Sequence, residues 1–411
     1  MQNCIMQNCI KRKNYINLHA KTDIPQSPGD KLIKAIMIEN PFIITEKVIP
    51  EYFCDREAET AELSKLLKNG NNVVLISRRR IGKTSLIQYC FGMEEIKENF
   101  FSVYVDILST TNLREFTFLL GREIFDTLKS RGEKIWQSFL LTVKSLAGKI
   151  GFDPVSGLPS LNVQLGDINQ PEYTLKEIFA YLSSADKPCI VAIDEFQQIS
   201  KYPEKNVEAL IRSHLLQINN CRMIFSGSER HILENMFLSA SRPFYLSASF
   251  MELKKIPADY YVEFICRLFR EKDKMISEEL ARKVYDMFDG ITYYVQRVCN
   301  GLFANTGIHR EASEELLSQT LDEIVYSFDT VFRLRLSQLT TRQKELLLAL
   351  AAEKVVEKIT SAEFIHKHSL TSSSSVQAAL KSLVNNSLVA QDERGYFIED
   401  YFFRYWLCRN F

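Results

Sequence analysis

Val73-Val74-Leu75-Ile76-Ser77-Arg78-Arg79-Arg80-Ile81-Gly82-Lys83-Thr84-Ser85-Leu86 is the stretch on which the reading of this chain turns. Its first four residues are continuously apolar, which predicts a strand buried on both faces. Helical spacing from Ser85 predicts a helix over 85–91, so the intervening residues form the loop that joins them. A strand–loop–helix junction gathers backbone N–H donors and the positive end of a helix into one concavity, as a bound phosphate requires. Gly82 lets the backbone approach an anion without a Cβ. Lys83 is placed to reach β- and γ-phosphates, and the Thr84 hydroxyl is suited to Mg²⁺. The expected nucleotide-binding set is therefore Ser77, Arg78, Arg79, Arg80, Ile81, Gly82, Lys83, Thr84 and Ser85. Ser77 stands where such a loop has its first glycine, and there a serine is expected to adopt positive φ under strain.

Three more buried strands are expected, at 101–106, 190–193 and 223–225. Helical patterns at 85–91, 113–130, 172–184 and 207–217 separate the strands, and another at 57–67 precedes the first. Strands alternating with helices imply a parallel sheet covered on both faces. The segment 148–169 is rich in Gly, Pro, Asp and Asn and is expected to be an insertion loop.

Ile190-Val191-Ala192-Ile193-Asp194-Glu195 delivers two carboxylates to the carboxyl end of a strand, where ligands bind in such sheets. Asp194 is expected to hold the metal together with Thr84, and Glu195 to orient and deprotonate an attacking water. That assigns the catalytic roles to Glu195 and Lys83. Phe225-Ser226-Gly227-Ser228-Glu229 follows another strand, so Ser226 and Ser228 are candidate sensors of the terminal phosphate, with a plain Ser-Gly-Ser turn as the competing reading. Arg242 is a third candidate sensor.

The chain has 411 residues, 46% of them hydrophobic and 25% charged, the proportions of an ordinary globular protein of two or three domains. This excludes a mainly disordered chain, a collagen-like repeat and a disulfide miniprotein. Fifty-one Lys and Arg cancel fifty-one Asp and Glu, so bulk charge gives no reason to expect nucleic-acid binding. The nine cysteines include no Cys-x-x-Cys pair and several sit in apolar runs, which fits free core thiols and a cytoplasmic location. His366 and His368 have no acid or thiol partners close in sequence and make a weak metal signal. No apolar run reaches the ~18 residues of a membrane helix, so no membrane partner is expected. Residues 1–39 open with Met1-Gln2-Asn3-Cys4-Ile5 twice over and are read as a flexible leader, with Met37 an alternative start.

Beyond 257 the strand signal ends. Helical spacing at 260–271, 277–288, 293–305 and 312–336 predicts an all-helical module. Helices at 342–353, 361–368 and 372–385, then short strands near 388–390 and 396–398, predict a winged helix. The expected divisions are a core at 40–256, the helical module at 257–338 and the winged helix at 339–411. From 341 to 411, nine Lys or Arg meet eight Asp or Glu, and the recognition helix carries only Lys381. Such a surface is poor in phosphate contacts, so a packing or protein-interaction role stands ahead of DNA binding, which remains open. Phe402, Phe403 and Trp406 are expected to cover the core of this unit.

Phe53-x-Asp55-Arg56-Glu57-x-Glu59, Arg79-Arg80-Ile81-Gly82-Lys83-Thr84-Ser85-Leu86 and Ile193-Asp194-Glu195-Phe196-Gln197 together resemble the archaeal-type ATPases of the STAND branch of AAA+-related P-loop NTPases. Gly290-Ile291-Thr292-Tyr293-Tyr294 is similar to the Gly-x-Pro-Tyr-Tyr element of their helical lid. Tyr401-Phe402-Phe403-Arg404-Tyr405-Trp406-Leu407 is similar to the aromatic tail after their winged helix. The resemblance spans 40–411. It implies an α/β P-loop NTPase parallel sheet with helices on both faces, an all-helical lid and a C-terminal winged-helix domain. It also implies ATP with Mg²⁺, slow hydrolysis and a nucleotide-controlled switch; apart from the resemblance, an unidentified protein partner is expected. Thr292 replaces the lid proline that senses the nucleotide in that branch. A nucleotide-loaded scaffold without turnover, and a DNA-binding regulator that uses the nucleotide as a signal, are the competing expectations.

Overall fold

A computed structural model describes residues 40–44, 52–129, 131–147, 150–152, 159–161 and 164–411. The leader expected at 1–39 lies outside them. In order among the described residues come α1 (Glu57–Lys68), β1 (Val73–Ile76), α2 (Lys83–Gly92), α3 (Glu94–Asn99), β2 (Phe101–Asp106), α4 (Leu113–Lys129), α5 (Glu133–Thr142) and α6 (Lys144–Ala147). Next come β3 (Ile150–Phe152), β4 (Pro159–Leu161), α7 (Pro171–Ser184), β5 (Cys189–Asp194), α8 (Val207–Leu215), β6 (Cys221–Gly227), α9 (Arg230–Leu238) and β7 (Ser249–Glu252).

Five strands pair in parallel in the order β2-β5-β6-β1-β7. Every residue of β1 and β5 is buried, which is why both sequences are apolar without alternation. Val73, Leu75, Ile190 and Ala192 pack into one core with residues of α1 and α2, while Val74, Ile76, Val191 and Ile193 pack into a second with α4, α7, α8 and α9. The helices therefore cover both faces.

Two differences from expectation have physical causes. β7 pairs only with β1 at the sheet edge, so Ser249-Phe250-Met251-Glu252 is half-buried and lacks the apolar run of an inner strand. Within 148–169, β3 and β4 form an antiparallel pair and Leu165–Asp167 a turn of 3₁₀-helix, where a loop was expected. Strands of three residues are too short to show a period.

The helical module comprises α10 (Ala258–Arg270), α11 (Glu278–Met287), α12 (Thr292–Asn305), α13 (Glu314–Ser327) and α14 (Asp329–Ser337). The side chains of Ser277 and Ser313 cap α11 and α13. The single helix expected over 312–336 breaks at Phe328. Aromatic packing overrides the local pattern: the Phe328 and Phe402 rings stack 6.2 Å apart, and Asp329 accepts a hydrogen bond from Trp406 Nε1 at 2.8 Å.

The winged helix follows as α15 (Thr341–Glu353), α16 (Ala362–Lys367), α17 (Ser373–Asn385), β8 (Val389–Asp392), β9 (Gly395–Ile398) and α18 (Tyr401–Asn410). Gly395 adopts φ 130°, and a Cβ there would lie 2.4 Å from the Val356 carbonyl oxygen, so the hairpin needs glycine. Phe402, Phe403 and Trp406 are buried, and one apolar core runs from the sheet through the helical module into this unit. The seven described cysteines are free, and all but Cys408 are buried. No helix among the described residues is long and apolar enough to cross a membrane.

Candidate functional site

β1 ends at Ile76 and α2 begins at Lys83, so residues 77–82 turn the chain at the carboxyl edge of the sheet. Gly82 precedes the helix at φ 106°, a left-handed value that favours glycine. Ser77 does not take up the positive φ expected of it; the non-glycine residue that does so in this loop is Arg80, at φ 65°. The Ser77 hydroxyl instead donates to the Arg78 carbonyl at 2.7 Å and accepts from Lys83 Nζ at 3.3 Å. Lys83 is buried. Desolvation holds its ammonium below the usual lysine range, against the opposing pull of the Asp194 and Glu195 carboxylates.

β5 brings Asp194 to the same edge, where its carboxylate is saturated with donors. Thr84 Oγ1 donates to Oδ2 at 2.9 Å and Tyr104 Oη donates to the same oxygen at 2.6 Å. Ser226 Oγ donates to Oδ1 at 2.6 Å and the Glu195 N–H at 3.0 Å. Burial pushes the Asp194 pKa up, but the bonds from Ser226 and Tyr104, the Lys83 charge and the Thr84 bond outweigh it and leave the carboxyl below its usual range. Asp194 is thus held as a carboxylate with little water around it.

Glu195 follows at φ 56°, and its Oε2 accepts from Ser228 Oγ at 2.8 Å and from Gln197 Nε2. A cleft of about 410 Å³ opens between these groups and the helical module. Arg79, Gly82, Lys83, Thr84, Asp194, Glu195 and Ser228 line it together with Tyr52, Phe53, Arg56, Tyr261, Thr292 and Gln296. The lining thus combines charged and polar groups with the aromatic rings of Tyr52, Phe53 and Tyr261, as suits a ligand with an anionic tail and a flat apolar head. Arg56 is buried with one nitrogen on Glu59 at 2.6 Å and the other, Nη2, without a partner.

Residues 53–298 match the model of a family described as an ATPase domain predominantly from Archaea. The chain belongs to that family. Residues 330–409 match a probable winged helix domain. No curated protein matches the chain. Among solved structures, a Walker-type ATPase of Pyrococcus abyssi aligns with TM-score 0.59 at 20% identity over 90% of this chain and 99% of that one. The ORC2 protein of Aeropyrum pernix in ADPNP–ADP complexes aligns with TM-score 0.48 at 15% identity, over 87% and 93%. The ORC1 protein of the same organism in complex with DNA gives 0.48 at 12% identity, over 90% and 96%. The Pyrococcus abyssi likeness shows a shared fold.

In this member of the family most of the expected site residues meet at the cleft. Arg79, Arg80, Ile81, Gly82, Lys83, Thr84, Ser85, Asp194, Glu195 and Ser228 line the cleft, and Ser226 lies beneath it on Asp194. The Arg78 and Arg80 guanidinium groups turn toward the helical module and winged helix: Arg78 pairs with Asp289 at 2.9 Å and Arg80 donates to Tyr294 Oη. Arg242 pairs with Glu208 on α8 and is not among the cleft-lining residues. His368 bonds Glu353 at 2.8 Å, and no cluster of three or more metal-ligating side chains occurs among the described residues.

Three contributors escaped the sequence reading. Tyr104 sits on β2 opposite Ala192, two residues before Asp106 pairs with Asp194. Asp106 adds a third carboxyl, raised above its usual range by burial and by the nearby Asp194 and Glu195 charges, against a lowering backbone bond from Leu108. Gln197 is buried behind Glu195, and a Cβ on Gly227 would lie 2.0 Å from its Oε1. The glycine of Ser226-Gly227-Ser228 therefore makes room for Gln197, while each serine serves one carboxylate. The only advance signal for Tyr104 and Asp106 was a polar ending to an otherwise apolar strand.

Proposed function

We propose that this protein binds ATP with Mg²⁺ in the cleft and hydrolyses it slowly, acting as a nucleotide-controlled switch. The observation that carries the reading is the 2.9 Å bond from Thr84 to Asp194, which joins the loop after β1 to the end of β5 beside Lys83 and Glu195. Lys83 and the N-terminal amides of α2 would neutralise phosphate charge. Thr84 Oγ1 offers a hard oxygen donor and Asp194, whose oxygens already accept two bonds each, would hold the cation through its bound water, which suits a cation that keeps waters and phosphate oxygens as its other ligands. When bound, Mg²⁺ would offset phosphate charge as a Lewis acid. Glu195 faces the cleft and takes the proton of the attacking water, with Ser228 and Gln197 fixing its carboxylate. Tyr52, Phe53 and Tyr261, with Arg56, suit the base and ribose. Replacing Glu195 by Gln tests this: ATP binding persists and phosphate release stops.

A scaffold that holds nucleotide without turnover is the second reading. It is favoured by the three donors already on Glu195 Oε2, which compete with water for that oxygen. Absence of phosphate release from the wild type, with ATP bound, would establish it. DNA binding draws less support: Arg394, the cation of the wing turn, is committed to Asp392 and Asp289, each at 2.7 Å. Buried free thiols favour a reducing, cytoplasmic setting.

A further inference from the structure

Within the loop 77–82, glycine takes up a left-handed conformation at little cost, but at Arg80 the same conformation crowds Cβ against the backbone. Contacts from outside the loop hold Arg80 there. Its carbonyl accepts the Tyr293 N–H at 3.1 Å, and the next carbonyl, Ile81, accepts the Thr292 hydroxyl at 3.0 Å. Its guanidinium donates to Tyr294 Oη, covers the Tyr293 and Tyr294 rings at 4.7 and 5.0 Å, and lies 3.8 Å from Asp400. Tyr294 and Asp400 support each other: Tyr294 Oη is 3.3 Å from the Glu399 carbonyl and 3.5 Å from Asp400 Oδ1. Asp400 belongs to the winged helix, where it caps α18 through the Phe402 and Phe403 N–H groups, and it also meets Arg335 at 3.5 Å. Arg78 repeats the arrangement, lying over the Phe397 ring at 4.5 Å and 3.9 Å from Asp392. Two loop residues thus reach into the winged helix, and one of them is strained.

We propose that Asp400 and Tyr294 are positioning residues for the loop: by anchoring Arg80 they keep its backbone left-handed, and this makes the winged helix part of the nucleotide site. The inference rests on the reading of the cleft as an ATP site. Its sign separates it from simple electrostatics. Neutralising an acid near the loop would by itself tighten binding of a polyanion, whereas releasing Arg80 weakens it.

The experiment compares wild type, Asp400→Asn, Tyr294→Phe, Arg80→Gly and Arg80→Gly/Asp400→Asn. ATP affinity is measured by titration, and loop order by amide hydrogen exchange over 77–86 without nucleotide. Asparagine caps a helix about as well as aspartate, so Asp400→Asn keeps α18 capped, and its unfolding midpoint reports any general damage. Asp400→Asn and Tyr294→Phe are expected to weaken ATP binding by about tenfold, the equivalent of the ~1–2 kcal/mol that a left-handed non-glycine residue costs. Both are expected to speed exchange in the loop. In the Arg80→Gly background, where φ is no longer strained, Asp400→Asn adds no further loss and no faster exchange. The proposal is overturned if Asp400→Asn binds ATP as well as or better than wild type with unchanged loop exchange, or if it costs as much with glycine at position 80. Failure of the wild type to bind ATP would refute the nucleotide reading, and loop exchange would still decide whether Asp400 orders the loop.

Discussion

Ser228 Oγ lies 2.8 Å from Glu195 Oε2, so the end of β6 holds the acid that follows β5. Gln197 donates to the same oxygen from the turn of 3₁₀-helix after Glu195. A general base fixed by neighbours loses rate when a neighbour is removed, although the substrate binds as before. Ser228→Ala should therefore lower the rate of phosphate release about tenfold and leave ATP affinity within about twofold. Steady-state kinetics beside a binding titration checks this. A fall in affinity with unchanged turnover would place Ser228 on the phosphate instead.

Tyr104 gives its hydroxyl to the buried Asp194 at 2.6 Å. A bond to a charged acceptor is worth ~1.5–3 kcal/mol, and Thr84, Ser226 and the Glu195 N–H remain on the carboxylate after its loss. Tyr104→Phe should thus cost about 1.5–3 kcal/mol in urea unfolding. No loss of stability would show that the tyrosine serves only to fill space.

Asp194 also sets a direction for acid stability. Its folded pKa lies below the ordinary 3.8, so its contribution is present above that value and is lost as pH falls through the folded pKa. Urea midpoints of the wild type should decline below about pH 3.8 more steeply than those of Asp194→Asn. Parallel declines would contradict the ionised, hydrogen-bonded carboxylate described above.

Gly227 and Gln197 compete for one volume, since an added Cβ would stand 2.0 Å from Gln197 Oε1 and 2.9 Å from Leu233 Cδ1. Gly227→Ala should cost about 1–3 kcal/mol, and Gln197→Ala in the same chain should recover part of it. Strict additivity in denaturant unfolding would show that the two positions do not meet.

What the sequence disclosed follows from the range of the interactions involved. The β1–loop–α2 junction and the Asp194-Glu195 pair were legible because strand, turn and helix end are encoded within a few residues. The winged helix was legible because serine and threonine caps and a glycine-dependent hairpin mark its elements locally. Tyr104 and Gln197 were not, because strand register and a left-handed Glu195 bring them to the site. The aim of Arg78 and Arg80 was equally hidden, since their partners Asp289, Tyr294, Asp392 and Asp400 lie more than 200 residues along the chain. Phe328 broke an unbroken helical pattern for rings on α18.

The central claim is that Lys83 and Asp194 share one cleft built for a nucleoside triphosphate. Calorimetric titration of ATP with Mg²⁺ into wild type and Lys83→Ala tests it most directly. Saturable one-site binding by the wild type, weakened at least about a hundredfold in the variant, is the predicted result. Equal binding by the two proteins, or none by the wild type, would contradict it.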